Sequence, residues 1–171
     1  MKKRYDLGLR TSKPAKVDDL VKACIEGDLH LLKKSVKNKN DLNRKYRTWP
    51  LIRWAIQEGH LDIVEYLVDN GVSVTRKYTD GFTPLDQAVG EGHKKIIDFL
   101  INFGVDINQK TVNGTALHTA CAYGKLTIAK TLIKNGADIR TKDENGWTAR
   151  SYAGYYRRKE LVNYLDRELN K

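Results

Sequence analysis

The chain has 171 residues, 40% of them hydrophobic and 30% charged, with a formal net charge of +10. That composition excludes a disordered polymer and suits one domain or one short solenoid with a real core. No apolar run approaches the roughly 18 residues of a membrane span, and the first 30 or so residues hold no apolar block to serve as a signal-peptide core. A cytoplasmic protein is the default expectation, with delivery into another cell left open.

Residues 1–54 hold 15 Lys and Arg against 6 Asp and Glu, and the remainder hold 16 against 15. The basic character therefore belongs to one end. Residues 1–16 carry Lys2, Lys3, Arg4, Arg10, Lys13 and Lys16 against Asp6 alone and show little periodicity, which reads as a basic arm. From Val17 onward a rhythm begins, and residues 17–171 read as one repeat domain. Asp18 and Asp19 suit a helix start, Leu20, Val21, Ala23 and Cys24 form its apolar face, and Gly27 ends it. A second helix runs through Leu29, Leu31, Leu32 and Val36.

The clearest unit spans 80–107. Asp80-Gly81 is a turn pair, Thr83 is a helix N-cap, and Pro84 suits the first helical position. Leu85, Ala88 and Val89 share a helical face, which Gly90-Glu91-Gly92 is expected to break. Ile96, Ile97, Phe99, Leu100 and Ile101 make the apolar stripe of a second helix, closed by Gly104.

In-register alanines show that this unit recurs: Ala23, Ala55, Ala88, Ala120 and Ala153 stand 32 or 33 residues apart. Four residues after each comes Gly27, Gly59, Gly92 or Gly124, and in the last copy Arg157. Gly71, Gly104 and Gly136 close the second helices. The triplets Val72-Ser73-Val74, Val105-Asp106-Ile107 and Ala137-Asp138-Ile139 then read as short extended segments. The repeats fall at about 17–44, 45–77, 78–110, 111–142 and 143–171.

A period of about 33 with two short helices and a turn per copy resembles the ankyrin-repeat family. The resemblance rests on Thr83-Pro84-Leu85, Thr115-Ala116-Leu117-His118 and Thr148-Ala149 at the first helices. It rests also on Gly59-His60-Leu61, Gly92-His93 and Gly124-Lys125-Leu126 between the helices, and on Asn70-Gly71, Phe103-Gly104 and Asn135-Gly136-Ala137-Asp138 at the ends. It implies an all-α solenoid of stacked antiparallel helix pairs with short β-turn fingers, in five repeats of which the first and last are caps. Departures mark the ends and one finger. Pro50-Leu51-Ile52-Arg53 replaces the Thr-Pro-Leu-His start, the fourth finger is one residue short after Gly114, and Arg150 takes a position that is Leu in other copies.

No catalytic constellation is present: no phosphate loop, no dinucleotide fingerprint and no His-Glu-x-x-His. No metal site and no cofactor are expected, because His30, His60, His93 and His118 lie a repeat or more apart without ligand spacing. Cys24 and Cys121 occupy equivalent buried-type positions three helices apart, about 30 Å, whereas a disulfide needs Cα atoms within about 7 Å.

The resemblance implies a partner on the concave side, built from finger tips and first helices. In register these positions are Tyr46, Arg47, Trp49, Lys77, Tyr78, Phe82, Lys110, Lys142 and Trp147 at the fingers, and Glu91, Tyr123, Tyr155 and Tyr156 on the helices. Aromatic side chains beside lysines suit a partner protein with acidic and apolar surface. For Trp49, Phe82 and Trp147 a stiffening role between fingers is the competing reading. The expectation is a non-enzymatic adaptor or inhibitor, monomeric on its own. The alternative is nucleic-acid or anionic-surface binding through Lys2, Lys3, Arg4, Lys33, Lys34, Lys37, Lys39, Arg44, Lys45 and Arg47.

Overall fold

In the computed structural model, residues 18–43, 45–46 and 49–170 are described. The N-terminal arm, Arg44, Arg47 and Thr48 lie outside them, and of Lys45 and Tyr46 only the backbone is described. Five helix pairs follow one another: α1 (Asp19–Glu26) with α2 (Leu29–Ser35), α4 (Leu51–Glu58) with α5 (Leu61–Asp69), α6 (Pro84–Glu91) with α7 (Lys94–Asn102), α8 (Ala116–Ala122) with α9 (Leu126–Lys134), and α10 (Ala149–Tyr155) with α11 (Lys159–Leu169). One extra helical turn, α3 (Lys39–Leu42), follows the first pair. A ribbon of β1 (Lys45–Tyr46) and β2 (Trp49–Pro50) precedes α4, pairing Tyr46 with Trp49.

Local chemistry sets the starts of the first helices. Thr83 caps α6 through its hydroxyl, which accepts from Asp86 N–H at 3.1 Å, while the Asp86 carboxylate accepts from Thr83 N–H at 2.9 Å. Thr115 with His118, and Thr148 with Ser151, repeat that reciprocal cap. Helix α6 runs through Gly90, so the expected break there is confined to Gly92, whose φ is 93°. A single glycine inside a helix costs only about 1 kcal/mol, which the packing of the neighbouring turns offsets. In the last copy Arg157 takes the same left-handed backbone, at φ 56°.

The alanine register has a packing reason. Ala23, Ala55, Ala88, Ala120 and Ala153 are all fully buried, and a methyl group is what lets successive first helices approach closely. Each second helix places a fully buried leucine in the core, Leu32, Leu67, Leu100, Leu132 and Leu165, all at 0% exposure. Each contributes roughly 2 kcal/mol by leaving water. The first helices pack on one another more closely than the second helices do, so the stack curves with the first helices on its inner side.

Side chains after the inter-helix turn tie each pair to the one before. His60 Nε2 donates to Ile25 O at 3.1 Å, and His93 Nε2 donates to Gln57 O at 3.1 Å. In the last pair Arg158 takes over, with Nε and Nη2 donating to Ala122 O at 3.3 Å. The triplets after Gly71, Gly104 and Gly136 form no strands. They are irregular connections that bury Val72, Val74 and Ala137.

The outer side of the fifth pair carries polar and small groups. Arg150 is exposed and forms a bidentate ion pair with Asp166 of α11, and Gly154 stands exposed where α8 has the buried Cys121. Cys24 and Cys121 are both buried free thiols, and burial pushes each up to about 12, which keeps them protonated and unreactive.

Candidate protein-interaction site

The finger and first-helix face divides into two aromatic clusters. The first is closed. Arg53, standing where a histidine is expected, inserts its guanidinium 3.9 Å from the Trp49 ring and 4.7 Å from the Tyr78 ring. It meets Asp80 Oδ2 at 2.6 Å, and Trp49 packs on Trp54 at 4.8 Å. Trp49 and Tyr78 are therefore half-buried, and burial raises the pKa of the Tyr78 hydroxyl despite the nearby Arg53. The stacked guanidinium holds the second finger to the third, because its charge meets Asp80 while its plane lies against the Trp49 and Tyr78 rings.

The second cluster is open and sits on the fifth finger and α10. Asp143 Oδ1 accepts from Asn145 N–H at 2.9 Å and from Trp147 N–H at 2.8 Å, while Oδ2 accepts from the Tyr152 hydroxyl at 2.8 Å. Desolvation raises the Asp143 carboxyl, but these donors outweigh it and hold the group below the usual carboxylate range. Burial, together with the bond to Asp143, pushes Tyr152 up to about 12. The Trp147 ring stands edge-on to Tyr155 at 5.4 Å, and Tyr155 edge-on to Tyr156 at 5.1 Å. All three remain substantially exposed, at 38%, 67% and 46%.

Between α8 and α10 this cluster borders a groove of about 450 Å³ lined by Phe82, Tyr123, Tyr152, Tyr156 and Arg158. The groove gathers residues of the third, fourth and fifth copies that the sequence could only place by register. Tyr123 is 62% exposed, whereas Phe82 is half-buried. A smaller hollow of about 210 Å³ lies between finger tips and is lined by Lys77, Lys110, Val112 and Asp143. Lys142 is exposed beside it in the chain, pairing its backbone with Thr148. Glu91 accepts from Gln57 Nε2 at 2.8 Å. Among the basic residues of the other reading, Lys33, Lys34, Lys37 and Lys39 are exposed. Lys2, Lys3, Arg4, Arg44 and Arg47 lie outside the described residues, as do the side chains of Lys45 and Tyr46.

Tyr152 was absent from the register of exposed positions, yet it joins the finger to the groove. Its signal was present in Tyr152, Tyr155 and Tyr156 at helical spacings of three and four, which place them on one face. The fourth finger is tighter by a residue, as the shortened spacing implied: Thr111 N–H donates to Gly114 O, whereas Asp143 N–H donates to Trp147 O. Among the described residues no group of three or more His, Cys, Asp and Glu could hold a metal ion, and no helix is long and apolar enough to cross a membrane.

His118 gives this region a pH dependence. Its Nδ1 accepts from Thr115 N–H at 3.1 Å, and its Nε2 donates to Trp147 O at 3.1 Å, an arrangement that needs the neutral ring. Desolvation lowers its pKa below the ordinary 6.5, so the unfolded chain takes up the proton first. The stability it contributes is complete above about pH 6.5 and is lost as pH falls through the folded-state value. Urea midpoints compared between about pH 7.5 and about pH 5.5 are expected to fall more for the native chain than for His118→Gln. Parallel falls would assign the effect to other groups.

Stacked helix pairs joined by projecting fingers define a helical repeat scaffold. The comparisons agree with this class: residues 20–111 match the profile of ankyrin repeats in three copies, and residues 100–153 match that of ankyrin repeats in many copies. The chain belongs to the ankyrin-repeat family, whose repeats are generally modules for binding other proteins. It is 43% identical over 51 residues to the Notch-regulated ankyrin repeat-containing protein of Xenopus tropicalis, covering 30% of this chain and 45% of that one. It is 40% identical over 52 residues to protein phosphatase 1 regulatory subunit 12A of Mus musculus, covering 30% and 5%. Over 95 residues it is 30% identical to the transient receptor potential cation channel subfamily A member 1 homolog of Caenorhabditis elegans, covering 56% and 8%. The matched stretch thus spans less than half of each of these relatives.

Proposed function

We propose that this chain is a non-enzymatic adaptor or inhibitor that binds a partner protein across the fingers and first helices of residues 17–171. The observation that carries the reading is the open groove flanked by exposed Trp147, Tyr155 and Tyr156. Large rings with few rotamers to freeze are what binding hot spots are made of. An apolar side chain of the partner fills the groove, and acidic groups of the partner meet Lys77, Lys110 and Lys142. The names of two relatives, one called Notch-regulated and one a phosphatase regulatory subunit, support a regulatory rather than a catalytic setting.

The test is affinity capture with the intact chain, identification of the bound protein, and titration of that protein against a Tyr123→Ala, Trp147→Ala, Tyr156→Ala variant. Affinity should fall by more than about tenfold while the circular dichroism stays native. Undiminished binding by the folded variant would remove this face from consideration. Steeply salt-dependent, sequence-blind binding to DNA or RNA would replace the reading with one based on the N-terminal basic residues.

A further inference from the structure

One column of the inner face has a composition that the aromatic groove alone does not explain. The residue immediately before each left-handed turn, Gly27, Gly59, Gly92, Gly124 and Arg157, occupies the same structural position in every copy. Those five residues are Glu26, Glu58, Glu91, Tyr123 and Tyr156. Three carboxylates therefore run in line along the first three pairs, and two tyrosines continue the line over the last two. The column is continuous at the change, because the Tyr123 ring lies within 4 Å of where a Gly90 side chain would begin, next to Glu91.

Among the described residues these carboxylates have few ion pairs, although Lys125 Nζ lies 3.0 Å from where a Gly92 side chain would begin, beside Glu91. Lys22 meets Glu26 only at 3.9 Å through two half-exposed side chains, and Glu91 accepts from the uncharged Gln57. Glu58 has no ion pair among the described residues. The separate hollow at the finger tips is of mixed charge, lined by Lys77 and Lys110 together with Asp143 and Glu144. The helix side of the inner face thus carries an acidic-then-aromatic track beside fingers of mixed charge.

We infer that the helix track binds an extended partner segment with a basic residue at every third position, followed in the same register by two apolar residues over Tyr123 and Tyr156. This inference rests on the proposed binding face and adds the chemistry and order of what it binds. The period follows from geometry. Neighbouring packed helices lie about 8–10 Å apart, and a polyproline II segment returns to the same face every three residues, about 9 Å further on. Each turn of such a segment meets one glutamate or one tyrosine. Attraction over three aligned carboxylates fixes the order of the segment, because its reversal would set lysines against Arg158 and leave the glutamates facing apolar groups.

The experiment uses a fluorescent synthetic peptide with lysine at three successive third positions and leucine at the next two, filled in with proline, serine and glycine, titrated into the full chain by anisotropy. Saturable binding is expected, weakened about tenfold in the E26Q/E58Q/E91Q variant and similarly when the peptide's lysines are spaced every second residue. Equal binding by that variant, or tighter binding of a peptide with glutamate in place of lysine, overturns the basic assignment. If Tyr123→Ala, Tyr156→Ala abolishes capture of the natural partner while E26Q/E58Q/E91Q leaves it unchanged, the glutamate track falls and the aromatic face stands. If neither variant affects capture, both fall. A shift to dimer mass in sedimentation without peptide, lost in E26Q/E58Q/E91Q, would assign the track to a second copy and overturn the proposal.

Discussion

Gly59→Ala is expected to destabilise the chain by about 2–3 kcal/mol, through roughly 1 kcal/mol for a side chain in the left-handed region and 1–2 kcal/mol for a displaced hydrogen bond. Gly59 has φ 85°, and a Cβ there would stand 2.6 Å from Cε1 of His93. The imidazole is the mobile end of its side chain, but moving it breaks its bond to Gln57 O. One substitution therefore strains a turn and unfastens two neighbouring helix pairs. The urea midpoint measures the total. A His93→Ala background separates the parts, since Gly59→Ala should there cost only the backbone share of about 1 kcal/mol. Equal costs in both backgrounds would show that the histidine does not couple the pairs.

Arg53→Ala is expected to cost a similar 2–3 kcal/mol, because it removes two ring-stacked contacts and one partly buried ion pair. The Arg53 side chain is only 11% exposed against 40% for Asp80, so the carboxylate left behind regains water and the loss stays short of that for a fully buried pair. Arg53→Lys should recover only part of the stability, as an ammonium cannot lie flat between two rings. Trp49 and Trp54 report the change directly. Their emission should shift to the red in Arg53→Ala as the second finger loosens, and an unchanged spectrum and midpoint would show that the ribbon holds this finger unaided.

Much of the fold was legible in the sequence because a repeat states its own register several times. Alanines at 32 and 33 residues mark positions where only a methyl group fits, and the glycine four residues later marks a backbone that other residues avoid. What escaped were features made by one copy alone. Arg53 reads as a departure from the Thr-Pro-Leu-His start, and only its reach to Trp49, Tyr78 and Asp80 shows that it joins two fingers instead of capping α4. Gly90 reads locally as a helix breaker, yet the packed helix carries it through. Helix α3 has its own capping box, in which Asn38 and Asp41 exchange bonds, but four residues are too few to announce a period. Of the binding face, the register supplied the exposed rings. It did not supply Tyr152, whose importance lies in a hydroxyl that reaches Asp143 across a turn.

The close packing of each first helix on its immediate neighbours has a kinetic consequence. The contacts that define the tertiary structure join helices of one pair or of adjacent pairs, so no large loop must close before the first of them forms. Ordering is best nucleated in the middle copies, where both faces of a helix pair are covered and the reciprocal Thr83 cap is intact, and it then spreads outward one pair at a time. The aromatic groove lies between α8 and α10, with Phe82 of the third finger also lining it. It is therefore assembled only once α8 and α10 have docked on one another.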